Sequence, residues 1–282
     1  MKQPVSVAAE QPLVWITGAS QGIGAALALE YAARGWRVAA SARNAARLQQ
    51  VQRRALPLPG SVEPFPLDVC ERDQHQQVLD RIEARFGPVR LAILNAGSHR
   101  PQSALEFDSG LVRELMELNL MGVANGLEVL IRRMLNRTPT QDAHACHPPT
   151  PRHAIDPART RGTIAVVASL AGYRGLPNAA AYGASKAALI NLCEALRLEL
   201  ADTPVRLQLI NPGFVKTPLT DRNTFRMPFL IEAEQAAREI ADGLETERFE
   251  IRFPSQFGWL MALLRQLPYG LYFPLVRRLT GV

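Results

Sequence analysis

Short apolar runs alternate with longer amphipathic stretches along this chain, and that alternation predicts its elements. Residues 13–17, 36–41, 63–67, 91–94, 162–168, 205–210 and 249–253 are apolar enough, and short enough, to be strands. Between them, 23–34, 45–55, 73–86, 111–135, 179–201 and 232–245 space their apolar residues as one face of a helix does. Strands that alternate with helices of this length pair in parallel, because each crossover helix returns the chain to the same edge. Right-handed crossovers then give an α/β fold: a single Rossmann-like, doubly wound parallel sheet with helices on both faces. The expected domain spans residues 1–253, and no internal repeat is present.

Two stretches break the pattern. Residues 136–161, rich in Pro, His, Thr and Arg, join a helix end to a strand start. In a parallel sheet that junction lies at the N-terminal edge of the strands, away from the ligand edge. His144, Cys146, His147 and His153 fall here, but their spacing matches no standard zinc pattern, so a surface insertion without a metal is expected. The second stretch is the tail, 254–282, crowded with Phe257, Trp259, Tyr269, Tyr272, Phe273 and many leucines. Arg265, Arg277 and Arg278 punctuate it, and Pro268 and Pro274 are expected to break any long helix. It fits packing on its own domain, a lid over an apolar pocket, a dimer contact, or a peripheral membrane contact with its arginines at anionic headgroups.

Composition narrows the class. Of the 282 residues 47% are hydrophobic, which supports a sizeable core and excludes a disordered chain. Charge is +6, but no basic run is interleaved with aromatics, so no nucleic-acid partner is expected. Cys70, Cys146 and Cys193 are too few and scattered for a disulfide framework, which fits a reducing, cytoplasmic compartment. Residues 1–11 do not read as a signal peptide, and no apolar run reaches the ~18 residues of a membrane span.

The candidate chemistry begins at Thr17-Gly18-Ala19-Ser20-Gln21-Gly22-Ile23-Gly24, which follows the first strand and opens a helix. Glycines there permit a tight turn and a close backbone approach to a pyrophosphate, and the helix N-terminus offers unpaired N–H groups. At the end of the second strand the chain reads Ser41-Ala42-Arg43-Asn44. An acid there would hold the ribose hydroxyls of NAD; Arg43 instead matches a 2′-phosphate, so NADP(H) is favoured, with Arg47 one turn further on. Tyr182 and Lys186, four apart on a predicted helix, share one face, and an ammonium beside a phenol stabilises phenolate. Ser169 ends a strand thirteen residues before Tyr182, and Asn119 lies in the long helix before that strand.

These motifs in this order resemble the short-chain dehydrogenase/reductase family over roughly residues 12–253. Residues 17–24 are similar to its TGxxxGxG cofactor loop, Asp68-Val69 to its adenine-binding pair, and Asn95-Ala96-Gly97 to its NAG turn. Asn119, Ser169, Tyr182 and Lys186 stand in the places of its catalytic set; Pro212, Gly213, Val215 and Thr217 resemble the segment that contacts nicotinamide. Two positions depart: Leu94 stands where many members have a further Asn, and Gln21 where some NADP-binding members have a basic residue.

The resemblance implies an oxidoreductase that moves a hydride between NADP(H) and a carbonyl or secondary alcohol. In it Tyr182 is the proton donor, Lys186 lowers the Tyr182 pKa and holds the nicotinamide ribose, both contact the cofactor, Ser169 bonds the substrate oxygen, and Asn119 positions Lys186 through a water. It also implies a homodimer or homotetramer. Leu219, Phe225, Met227, Phe229 and Leu230, within 218–231, point to an apolar or lipid-like substrate. The alternative is a non-catalytic NADP(H)-binding redox sensor or scaffold on the same fold.

Overall fold

The computed structural model describes residues 11–137, 161–222 and 227–281. Seven parallel strands form one sheet in the order β3-β2-β1-β4-β5-β6-β9. They are β1 (Leu13–Thr17), β2 (Arg37–Ser41), β3 (Ser61–Pro64), β4 (Leu91–Leu94), β5 (Gly162–Val167), β6 (Val205–Pro212) and β9 (Glu250–Phe253). The strand order reverses beside β1, so the crevice at the C-terminal ends of β1 and β4 is the switch point where such sheets bind ligands. A separate pair, β7 (Val215–Lys216) and β8 (Ile231–Glu232), follows β6.

β1 shows why the sheet is covered twice. Successive side chains point to opposite faces: Leu13 and Trp15 enter one core, Val14 and Ile16 the other, and all four are buried. Helices α3 (Arg72–Phe86), α5 (Gly122–Leu135) and α6 (Ala180–Glu199) supply Leu79, Leu127, Leu130 and Leu189 to the first core. Helices α1 (Gly22–Ala33), α2 (Ala45–Ala55) and α7 (Ala233–Leu244) supply Leu27, Leu48 and Ile240 to the second.

Three details differ from the pattern reading. The expected strand over 63–67 lies at Ser61–Pro64. Pro64 and Pro66 carry no N–H, which an edge strand tolerates, while Phe65 and Leu67 still donate to Ala40 and Ala42 O. The expected helix over 111–135 is three pieces: α4 (Ser109–Met116), a π-helical turn at Glu117–Met121, and α5. Pro274 does not end a helix. It sits inside α9 (Tyr269–Thr280), where burial of Tyr272 and Val276 offsets the lost backbone bond. Pro268 does separate α9 from α8 (Ser255–Gln266).

The 136–161 stretch leaves and rejoins the described chain at the expected edge. Buried Arg137 donates from Nη1 to Val89 O and Arg161 O, both at 2.8 Å, and pairs with Glu83 at 2.6 Å. His144, Cys146, His147, His153 and Phe225 lie outside the described residues.

Candidate active site

The loop after β1 is shaped by what its glycines exclude. Gly18 and Gly22 have φ of +67° and +57°, where a side chain strains the backbone. A Cβ on Gly24 would stand 2.3 Å from Gly18 O and 2.6 Å from the Asn95 amide, so helix α1 approaches β4 as only glycine allows. Asn95 locks this arrangement: its Nδ2 donates to Thr17 O at 3.1 Å and Gly18 O at 3.3 Å. Thr17 Oγ1 in turn accepts from the backbone of Asn95 and Ala96. A Cβ on Gly22 would meet the Thr217 methyl at 3.2 Å, which sets the loop after β6 across the cradle. Such a cradle, with the N-terminus of α1 opening from it, fits the pyrophosphate of a dinucleotide. Ser20 and Ile23 are half-buried there and Gln21 is exposed.

Beyond β2, Arg43 is exposed, and its charge reaches far enough to oppose the rise that burial imposes on the Cys70 thiol. Arg47 donates to the Gln21 side chain, which fixes a second guanidinium on the glycine loop. Gln21 therefore holds a cation at the place where its own side chain lacks one. Asp68 accepts from Cys70 N at 3.1 Å, and its own N–H donates to Gln74. Val69 O is held by Asn125 Nδ2 and His75 Nε2, both at 3.0 Å. No local pattern marks Asn125 or fully buried His75, because only the fold brings α3 and α5 to this loop.

The candidate catalytic side chains meet at the C-terminal ends of β4 and β5. Ser169 accepts from Ala171 N at 3.1 Å and lies 3.5 Å from Pro212 O. Lys186, 4% exposed, donates to Val167 O at 2.9 Å, and its Nζ lies 5.8 Å from the Tyr182 ring centroid. Burial lowers its pKa to about 8. Asn119 is fully buried in the π-helical turn. Its Nδ2 donates to Ser98 O at 3.0 Å and to Ser185 Oγ at 2.9 Å, while its Oδ1 accepts from Ser98 N. Gly97 lets the turn pass close by, since a Cβ there would stand 3.1 Å from Asn119 Oδ1.

Burial raises the Tyr182 phenol pKa, and a hydrogen bond from Ser169 opposes that rise. On α6 Asn119 donates directly to Ser185, because the buried amide needs an acceptor and the serine hydroxyl supplies it.

His99 sets its ring edge-on to Tyr182, with centroids 4.7 Å apart. No spacing rule singled it out. Phe214, next to Gly213, stacks on Phe257 of α8 at 5.4 Å, and Phe229 lies 6.1 Å from Phe257. Pro212 and Val215 are buried, Leu219 and Met227 are half-buried, and Leu230 is exposed.

Comparison with known proteins agrees with this geometry. The family model described as short chain dehydrogenase matches residues 12–141 and 150–226. An uncharacterized oxidoreductase of Myxococcus xanthus is 35% identical over 94% of this chain and 96% of its own length. A 3-oxoacyl-(acyl-carrier-protein) reductase of Thermotoga maritima is 29% identical over 73% of this chain and 75% of its own. A short chain dehydrogenase/reductase from Burkholderia phymatum, solved in complex with NAD, superposes with a TM-score of 0.76 at 24% identity. That match covers 92% of this chain and 94% of the other. The switch-point cradle, the order of the strands and these matches agree, and the chain belongs to the short chain dehydrogenase family of oxidoreductases.

Proposed function

We propose that this protein is an NADP(H)-dependent carbonyl reductase for an apolar substrate. The observation that carries the reading is the convergence of Ser169, Tyr182, Lys186 and Asn119 at one strand edge, beside a cradle suited to a dinucleotide. Thr17, Gly18, Ser20, Gln21, Gly22, Ile23 and Gly24 would hold the pyrophosphate. Asp68 and Val69 would flank the adenine, and Asn95, Ala96 and Gly97 would back the centre. Pro212, Gly213, Val215 and Thr217 would bound the nicotinamide. Arg43, with Arg47 fixed on Gln21, supports a 2′-phosphate: two guanidinium groups and no carboxylate at this strand end attract that dianion.

When bound, NADPH supplies a hydride to the carbonyl carbon. Tyr182 holds its proton at neutral pH, since burial favours the neutral phenol, and that proton is available to the developing alkoxide. The Ser169 hydroxyl would donate a hydrogen bond to the same oxygen, stabilising the charge as it forms. Lys186 remains protonated below about pH 8 and would engage the ribose while steadying the phenolate left after transfer. The Asn119–Ser185 bond fixes the stretch of α6 that carries both groups. The aromatic wall of Phe214, Phe257 and Phe229 favours an apolar carbonyl over a charged one. The 3-oxoacyl substrate named for the Thermotoga relative is of a compatible class.

The test is oxidation of NADPH and NADH by the purified protein against ketones and aldehydes from acetone to long-chain 3-oxoacyl thioesters. Consumption of NADPH in preference to NADH, rising with chain length, supports the reading. Turnover restricted to NADH, or to small polar carbonyls, overturns it.

A further inference from the structure

The C-terminal helices bury too little of what they carry. Phe257, Met261 and Leu264 of α8, with Tyr272 and Val276 of α9, join the core. Trp259, Leu263, Tyr269, Leu271, Phe273 and Leu279 remain exposed, each by at least 61%. From Tyr269 to Leu275 only Tyr272 is buried, and every exposed residue in that run is apolar, glycine or proline. A concentration of this size on one segment marks an interaction surface rather than scattered surface leucines.

The segment is held as a preformed platform. Arg174, five residues beyond Ser169, donates from Nη1 to Arg265 O at 2.9 Å and Leu267 O at 2.7 Å, satisfying carbonyls at the end of α8. Its guanidinium lies 4.7 Å from the Tyr269 ring and 4.3 Å from the Tyr272 ring. The Tyr272 hydroxyl donates back to Gly175 O. Both helices are thus clamped to the loop that follows the candidate catalytic serine.

Charge identifies the occupant. Glu250 is the last acidic residue of the chain, and the 32 residues after it carry Arg252, Arg265, Arg277 and Arg278. Arg252 and Arg265 approach Glu250 and Glu194, each at 3.8 Å, and Arg252 also lies over the Trp259 ring. Arg277 and Arg278 occupy the last turn of α9, next to Leu279. A second copy laid face to face would set like-charged arginine tails against each other with no tail carboxylate between them, whereas an anionic bilayer supplies phosphates beside acyl chains. Exposed Trp and Tyr with arginine at the margin is the composition of helices that lie in a membrane interface.

We infer that α8 and α9 form an interfacial docking platform for an anionic lipid bilayer, laid flat on its surface. No helix among the described residues is long and apolar enough to cross a membrane, so the contact is peripheral. This inference stands apart from the catalytic reading, and its test uses no turnover.

The full chain is floated with vesicles of phosphatidylcholine alone, or of equal parts phosphatidylcholine and phosphatidylglycerol. It is expected to float with the mixed vesicles and to remain at the bottom with the neutral ones. Trp259 emission should be quenched when the phosphatidylcholine is brominated, with Trp259→Phe as the blank. Leu271→Glu with Leu279→Glu should abolish flotation while leaving the melting curve unchanged. Should that variant not fold, Arg277→Gln with Arg278→Gln provides a second reading: partitioning into mixed vesicles should fall roughly 30-fold, at about 1 kcal/mol per arginine. Flotation untouched by these changes overturns the inference. So does absence of flotation, including the case where sedimentation finds a dimer that the glutamates split, which would assign the face to a second copy.

Discussion

Asn119 grips Ser185 across 66 residues of sequence, with its Nδ2 2.9 Å from the serine Oγ. Ser185 Oγ passes the bond on to Tyr182 O at 2.8 Å, one turn back along α6. The chain of bonds therefore runs from the π-helical turn to the backbone of Tyr182. It explains why a buried serine stands between the tyrosine and the lysine.

Ser185→Ala removes the acceptor and leaves a buried amide N–H unpaired. That should cost about 1–3 kcal/mol of stability, read as a lower urea midpoint with an unchanged slope. Turnover should fall by less than in a variant that lacks the Tyr182 hydroxyl. A midpoint equal to that of the wild type would mean that Asn119 is satisfied by another group.

Arg43 and Arg47 bear on the choice of cofactor. Arg43→Ala should weaken NADPH binding by roughly 10- to 100-fold, the worth of a charge-assisted bond to phosphate, and leave NADH binding nearly unchanged. Titration of protein fluorescence with each nucleotide measures both. Equal losses for the two nucleotides would remove the 2′-phosphate from the account.

His75 predicts how the protein responds to acid. Burial lowers its pKa below 6.5, so the folded ring stays neutral where an unfolded histidine takes up a proton. The unfolded state binds more protons below that value, so stability falls as pH drops through 6.5. His75→Gln keeps a donor for Val69 O without a titrating ring, and its stability should change less between pH 7 and about 5.5. Parallel melting curves for the two proteins across that range would assign the acid sensitivity elsewhere.

The sequence carried the fold well wherever one local rule sufficed. Glycines after β1, apolar strands and amphipathic helices each declare themselves, and their order gave the doubly wound sheet and the family resemblance. What stayed hidden depends on contacts between distant segments. The π-helical turn leaves no mark, since Asn119 sits in an apolar pattern that a plain helix also satisfies. His75 and Asn125 meet Val69 O only after α3 and α5 pack. Residue spacing does not report the burial that raises the Tyr182 pKa. Pro274 looked like a helix breaker because its local cost is visible in the sequence, whereas the packing of Tyr272 and Val276 is not.

The central claim is that Tyr182 donates the proton, and Tyr182→Phe tests it most directly. Removing one oxygen should lower the rate of NADPH-dependent carbonyl reduction by about 10²- to 10⁴-fold, the usual share of general acid–base catalysis. NADPH affinity should be unchanged, because the phenol is not part of the phosphate cradle. Turnover equal to the wild type with the same carbonyl would contradict the account.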